Sequence, residues 1–246
     1  MVVHRVLQLL KRRKVAAKLG VAFERCASFR LPGKMNINGQ LQDIHMPNEN
    51  GVRVAFIEIL LDDCYRCRKL ARYSQPVNTV LDIGANVGLF GIAARDAFPA
   101  AQIQAYEPNP HLEQYLAVQA KTANFRYFME AIGLENGSVS LDFNVDSVQT
   151  RSMPDETGRI PRVAFREAIG RLGGSVDLVK MDCEGAEWAI LKDTDSWDRI
   201  KHLSMEYHLW PDHTHDEVLD VVRSLGFLVR EHSPSDNFGL LIASHS

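Results

Sequence analysis

"VLDIGANVGLFGIAAR", residues 80–95, packs an apolar strand, a glycine turn and a helix into sixteen residues. Val80 to Ile83 is apolar apart from Asp82, and Gly84 and Gly88 bracket Ala85-Asn86-Val87. A strand that breaks at glycine and re-enters as a helix is the first half of a β-α-β unit. Glycine at the break lets another group approach the backbone closely.

Outward from this stretch the pattern alternates. Apolar runs predict strands at 78–83, 102–107, 125–130, 176–182, 200–207, 226–231 and 238–243. Helices are expected at 88–98, 110–122, 162–171, 184–192 and 214–224. Such alternation specifies an α/β fold, a mostly parallel sheet with helices on both faces. The last two strands, joined by "SPSDNFG", close one edge as an antiparallel hairpin. Residues 135–153, "ENGSVSLDFNVDSVQTRSM", interrupt the alternation as a hairpin insertion whose Asn-Gly is turn chemistry.

Upstream, "KMNINGQLQDIHMPNENG" reads as a hairpin on an Asn-Gly turn, and "VAFIEILLDDCYRCRKLAR" as a helix. The extreme N-terminus is a basic helix packed through Val6, Leu9 and Leu10. Residues 1–52 are therefore set apart as an accessory helix and hairpin, and 53–246 as the principal domain.

Composition is that of a globular chain: 246 residues, 46% hydrophobic and 24% charged. No apolar run approaches the ~20 residues of a membrane span, and charges at Lys11 to Lys14 break any secretory pattern. A cytoplasmic location is expected, with the four cysteines reduced. Cys64 and Cys67 lack the second pair that a zinc site needs. Net charge is −3, yet the first thirty residues hold eight bases against Glu24 alone. The remainder carries 20 of the 28 bases and 30 of the 31 acids. An acidic body argues against nucleic acid as a partner. The basic helix offers at most a peripheral contact with an anionic surface.

The turn itself discriminates between ligands. A dinucleotide turn reads G-x-G-x-x-G. Here Asn86 stands at the second glycine and Leu89 at the third, and the carboxylate of Asp82 precedes the turn. An acid beside the turn repels phosphate and suits a cation, which favours S-adenosylmethionine with its sulfonium over a nicotinamide cofactor. The next strand ends "AYEPNP", placing Glu107 where a carboxylate accepts both ribose hydroxyls. The third strand ends "YFMEAIG", where Glu130 or the backbone of Ala131 meets the adenine edge. The expected cofactor set is thus Asp82, Gly84, Asn86, Gly88, Glu107, Glu130 and Ala131.

"VLDIGANVGLF", "AYEPNP", "DLVKMDCEGAEWAIL" and "LSMEYH", in this order and spacing, resemble the FkbM-type family of S-adenosylmethionine-dependent methyltransferases. The resemblance covers residues 53–243, and "LVKMDCEGAE" is its most specific element. It implies a class I methyltransferase (Rossmann-like) fold with a seven-stranded sheet. It also implies O-methylation of a hydroxyl on a sugar, a polysaccharide precursor or another secondary metabolite. The expected partner is such a small-molecule or glycan acceptor.

"DLVKMDCEGAE" reads as a buried strand delivering Asp182 to its carboxyl end. The resemblance puts that end near the transferred methyl group. Glu184 and Glu187 fall in the first turn of a helix, where acids complement the dipole. Methyl transfer to oxygen needs alignment and, for an unactivated hydroxyl, a base. Asp182 and His208 are the candidates, with Glu206 beside them on the fifth strand. His208, Asp212, His213, His215 and Asp216 invite a metal reading, but no cage spacing fits and no metal is expected. The competing readings are an NAD(P)-dependent oxidoreductase on a Rossmann-like fold and a non-catalytic S-adenosylmethionine-binding module.

Overall fold

The computed structural model describes residues 2–72, 76–142, 151–155, 157–210 and 213–245. The N-terminal part comprises α1 (Val2–Lys18), a hairpin of β1 (Lys34–Ile37) and β2 (Gln40–Asp43), α2 (Asn50–Ala55), a π-helix (Phe56–Asp62) and α3 (Cys67–Leu70). The alternating part begins with β3 (Thr79–Ile83), α4 (Leu89–Ala97), β4 (Gln102–Tyr106), α5 (Glu113–Thr122) and β5 (Arg126–Phe128). The insertion supplies β6 (Ala131–Gly133), β7 (Gly137–Asp142), β8 (Arg151–Pro154) and β9 (Ile160–Ala164). The chain closes with α6 (Phe165–Arg171), β10 (Val176–Met181), α7 (Glu187–Ile190), α8 (Thr194–Trp197), β11 (Ile200–His208), α9 (His215–Ser224), β12 (Leu228–Pro234) and β13 (Phe238–Ser244).

The large sheet has seven strands in the order β12-β13-β11-β10-β3-β4-β5. β13 runs antiparallel to both neighbours, and the pairs from β11 through β5 are parallel. This is the class I methyltransferase topology. The strand order reverses between β3 and β10, so the crevice outside their carboxyl ends is where the fold opens a ligand site. A second sheet, β6-β9-β7-β8, forms the insertion.

Every residue of β10 is buried, Asp177 and Lys180 included, because helices cover both faces of the sheet at its centre. One core joins α4 and α5 to the N-terminal part through Phe23, Phe29, Phe56 and Leu61. The other packs Phe165, Trp197 and Phe227 beneath α6, α8 and α9. Each such large apolar side chain contributes about 1.5–3 kcal/mol on burial. The N-terminal residues that the sequence sets apart thus share the core of the sheet.

Four expectations meet a different local structure. α1 turns Val6, Leu7 and Leu10 outward and buries Ala16, with Leu9 and Val15 partly covered. Arg12 fixes that rotation, gripping both oxygens of Asp62 at 2.8 and 2.5 Å. The helix expected over 54–72 widens into the π-helix and stops at Asp63, whose φ of 60° is left-handed. Cys64 and Cys67 therefore lie on either side of a turn, both as free thiols. α6 starts at Phe165 because residues 160–164 pair with β6 and β7 as β9. α7 is a single turn from Glu187, because Glu184 and Gly185 hold positive φ of 54° and 104°. Residues 143–150 of the insertion lie outside the described residues.

Candidate active site

A cavity of about 640 Å³ opens at the carboxyl ends of β3, β4, β10 and β11. One wall is the glycine turn, lined by Gly84, Ala85, Asn86 and Val87, with Glu107 beside it. Asn50, Val54, Glu58, Ile59 and Tyr65 from the N-terminal part line the cavity as well. So do Asp182, Glu184, Glu206 and His208.

Glu107 is buried and held by backbone: Asn86 N–H donates to Oε2 at 2.8 Å and Asn109 N–H to Oε1 at 2.9 Å. Burial pushes its carboxyl up to about 7, against the pull of those two N–H groups. Each oxygen keeps a lone pair for a further donor, which is what a ribose diol requires. Glu130 and Ala131 also line the cavity. The Glu130 carboxylate is engaged by Arg171 at 2.7 Å, while the Arg171 guanidinium lies over Phe128.

Two of the expected cofactor residues serve the turn from beneath. Asp82 is fully buried and does not line the cavity; its Oδ1 lies 3.2 Å from Lys180 Nζ. Lys180 also donates to the carbonyls of Gly84 at 2.6 Å and Ile83 at 3.3 Å, riveting the strand end. Burial works against its charge, but Asp82 and Asp182 outweigh it and hold the ammonium protonated. Gly88 is likewise outside the lining; a Cβ there would meet Leu116, Gln119 and Phe125 at 3.0–3.3 Å. Gly84 lines the cavity, yet a Cβ on it would fall 1.7 Å from the carbonyl oxygen of Asp182. The glycines are demanded by the meeting of β3 and β10 and by α5.

At the end of β10, Tyr65 O–H donates to Asp182 Oδ2 at 2.8 Å, and Lys180 Nζ lies 3.9 Å away. His208, the last residue of β11, faces Glu187 through Nδ1 at 3.3 Å, and Glu184 and Glu206 through Nε2 at 3.5 and 3.7 Å. Burial opposes charge on the imidazole, but Glu187, Glu184 and Asp182 prevail and push it up to about 9. The surrounding carboxylates favour its imidazolium form. Burial and then Asp182 push Glu206 up to about 8. The structure thus brings Asp182 and His208 together and adds Tyr65, Glu58 and Lys180, which the sequence did not signal. Lys180 was visible only as a charge inside a strand read as buried, which by itself asks for a partner. His213 and His215 turn elsewhere, to Glu217 and to Tyr207, and Asp212 lies outside the described residues.

The donor set fits S-adenosylmethionine rather than a dinucleotide. Lys180 and His208 are the basic side chains among the described lining residues, and both are engaged by carboxylates. A pyrophosphate would find no cation, whereas a sulfonium meets acids. Fold and site together define the class of S-adenosylmethionine-dependent methyltransferases.

The family model described as "Methyltransferase FkbM domain" matches residues 82–229, and the chain belongs to that family. It is 25% identical to the methyltransferase sdnD of Sordaria araneosa, over 76% of this chain and 87% of that protein. It is 24% identical to the 31-O-demethyl-FK506 methyltransferase FkbM of Streptomyces tacrolimicus, over 76% of this chain and 86% of that one. S-adenosylmethionine is accordingly the cofactor. Among the described residues no helix is long and apolar enough to cross a membrane.

Proposed function

We propose that the protein O-methylates a hydroxyl on a small molecule, a sugar or glycan precursor or another secondary metabolite. One observation carries this reading: Asp182, Glu184 and His208 each offer a donor atom within 4.8 Å of the others, on the same cavity as Glu107. A relative whose printed name specifies an O-demethyl substrate supports oxygen as the acceptor.

S-adenosylmethionine supplies an electrophilic methyl group on sulfur. The chain's residues do the rest. Glu107 accepts from the ribose hydroxyls, with the backbone of residues 84–87 against the ligand and Glu130 and Ala131 toward the adenine. Asp82 and Gly88 support that turn without touching the ligand. Asp182, fixed by Tyr65 and flanked by Lys180, accepts the proton of the acceptor hydroxyl. His208, protonated, donates to the same oxygen and orients it. Alignment of the two reactants supplies most of the acceleration, and loss of a base costs roughly 10²–10⁴-fold.

Labelled S-adenosylmethionine with a panel of hydroxylated sugars, oligosaccharides and polyketide alcohols tests this. Transfer to one acceptor class is expected, with Asp182→Asn and His208→Ala reducing turnover while donor affinity stays within about 1 kcal/mol. Full turnover by the double variant would overturn the assignment of both residues.

A further inference from the structure

α1 carries an apolar stripe on the side that faces away from the protein. Val6, Leu7 and Leu10 are 50%, 60% and 54% exposed, and Ala17 is exposed as well. The opposite side seats the helix: Ala16 is buried, and Leu9 and Val15 pack against the core. Gln8 and Arg12 fix the rotation through Asp62, the last residue of the π-helix. Three large apolar side chains within five positions of one helix face are a patch, unlike the single ones scattered over an ordinary surface.

Bases edge this stripe. At about 100° per residue, Val6, Leu10 and Ala17 fall along one line of the helix. Arg13 borders that line on one side; Leu7 and Lys14, then Lys11 and Lys18, border it on the other. All four bases are exposed. Arg13 donates to the Glu24 carbonyl at 3.1 Å, which leaves its charge uncancelled. Lys18 reaches Asp96 at 3.4 Å, yet its side chain stays 70% exposed. α1 contains no acid.

We propose that α1 docks the protein on an anionic phospholipid bilayer, lying in the plane of the interface with Val6, Leu7 and Leu10 among the acyl chains. An apolar stripe edged by Lys and Arg is the pattern of a helix that binds there. The long stems of Lys11, Arg13, Lys14 and Lys18 let their charges reach headgroup phosphates while the leucines go deeper. Charge complementarity selects this surface over others. The first thirty residues hold eight bases against one acid, and the remainder carries 20 bases against 30 acids. An anionic plane therefore attracts α1 and repels the rest, which orients the protein on it. Nucleic acid offers phosphates but no apolar layer for Leu7 and Leu10. A second copy would set the bases of one α1 against those of another. With 17 residues, about 25 Å, α1 lies on the bilayer and does not cross it.

Vesicle sedimentation of the full chain tests this apart from methyl transfer. Vesicles of phosphatidylcholine alone are compared with phosphatidylcholine containing about one-third phosphatidylserine. Binding to the anionic vesicles alone is expected, weakening steeply as salt rises from about 0.05 to about 0.5 M. Leu7→Ser with Leu10→Ser should weaken it at least about tenfold. Lys11→Gln with Lys14→Gln should weaken it about 25-fold, about fivefold for each base. Both pairs are exposed, so circular dichroism should show the variants folded. Lys192→Gln, exposed beyond α7, should leave binding unchanged. Equal sedimentation with both kinds of vesicle, or with neither, would overturn the proposal, as would binding indifferent to the leucine substitutions. A dimer in analytical ultracentrifugation that those substitutions dissociate, without vesicle binding, would overturn it in favour of a second copy.

Discussion

Lys180 Nζ lies 3.2 Å from Asp82 Oδ1, and both side chains are sealed in the centre of the sheet. The pair lies directly beneath the glycine turn and holds it through the carbonyls of Ile83 and Gly84. Removing one partner of a buried pair leaves an uncompensated charge, which costs about 3–5 kcal/mol. Lys180→Met should therefore lower the denaturant midpoint steeply, and Lys180→Met with Asp82→Leu should recover much of the loss. An unchanged midpoint in the single variant would mean the pair contributes nothing.

With Glu107 holding the ribose as proposed, donor binding should depend on pH. Its folded-state pKa, about 7, lies above the ordinary 4.5, so the fold favours the protonated acid. This group is neutral in both states below 4.5. Its contribution to stability is then lost progressively as pH rises to about 7. Ribose hydroxyls require the ionised form, so donor affinity should move the other way, strengthening about tenfold from pH 6 to pH 8. Calorimetric titration across that range checks both signs. Glu107→Gln should bind weakly at all pH values and should lose the slope in stability.

Gly84→Ala should damage the fold as well as the site. The new Cβ would sit 1.7 Å from Asp182 O, at a φ of +75° that side chains rarely adopt. Strain of this kind costs about 1–3 kcal/mol before the clash is counted. Gly170→Ala is the contrast, with no atom within 4 Å of its Cβ and a helical position that should gain about 0.5–1 kcal/mol. Melting curves for the two variants should shift in opposite directions.

Removing the N-terminal part should destabilise the sheet. Phe29 lies 5.1 Å from Phe56, centroid to centroid, inside the core shared with α4. Phe29→Ala should cost about 3–5 kcal/mol, and deleting residues 1–30 should cost more. A truncated chain with an unchanged melting temperature would show that the shared core is incidental.

The side of the cavity formed by the glycine turn was legible because its residues lie close in sequence to the strand ends that present them. A period-two apolar run, a glycine turn and a carboxylate twenty-odd residues on are local signals, and Glu107 falls where they point. At the ends of β10 and β11, Asp182 and His208 were legible, but the groups that hold them were not, for the opposite reason. Tyr65 meets Asp182 across 117 positions, and Glu187 meets His208 across 21, so topology alone makes them neighbours. The π-helix escaped as well, since Phe56–Asp62 is as apolar as an ordinary buried helix and only its closing turn differs. Asp82 and Gly88 were read as facing the ligand because a strand end shows which residues gather there, but not which ones look inward.

The wall formed by residues 50–65 turns Val52, Phe56, Leu60 and Leu61 into the shared core and presents Asn50, Val54, Glu58 and Ile59 to the cavity. Ser204 Oγ–H donates to the Tyr65 carbonyl, and Glu231 takes Arg66 and Lys69. Tyr65 holds Asp182 through its hydroxyl. The segment therefore behaves as a fixed jaw with exchangeable teeth: a relative's side chains placed at positions 50, 54, 58 and 59 alone should import that relative's acceptor, while Val52, Phe56, Leu60 and Leu61 and the Arg12–Asp62 pair keep the jaw seated. On the proposed reading, acceptor choice should change through those four positions, and every strand of the sheet can stay as it is.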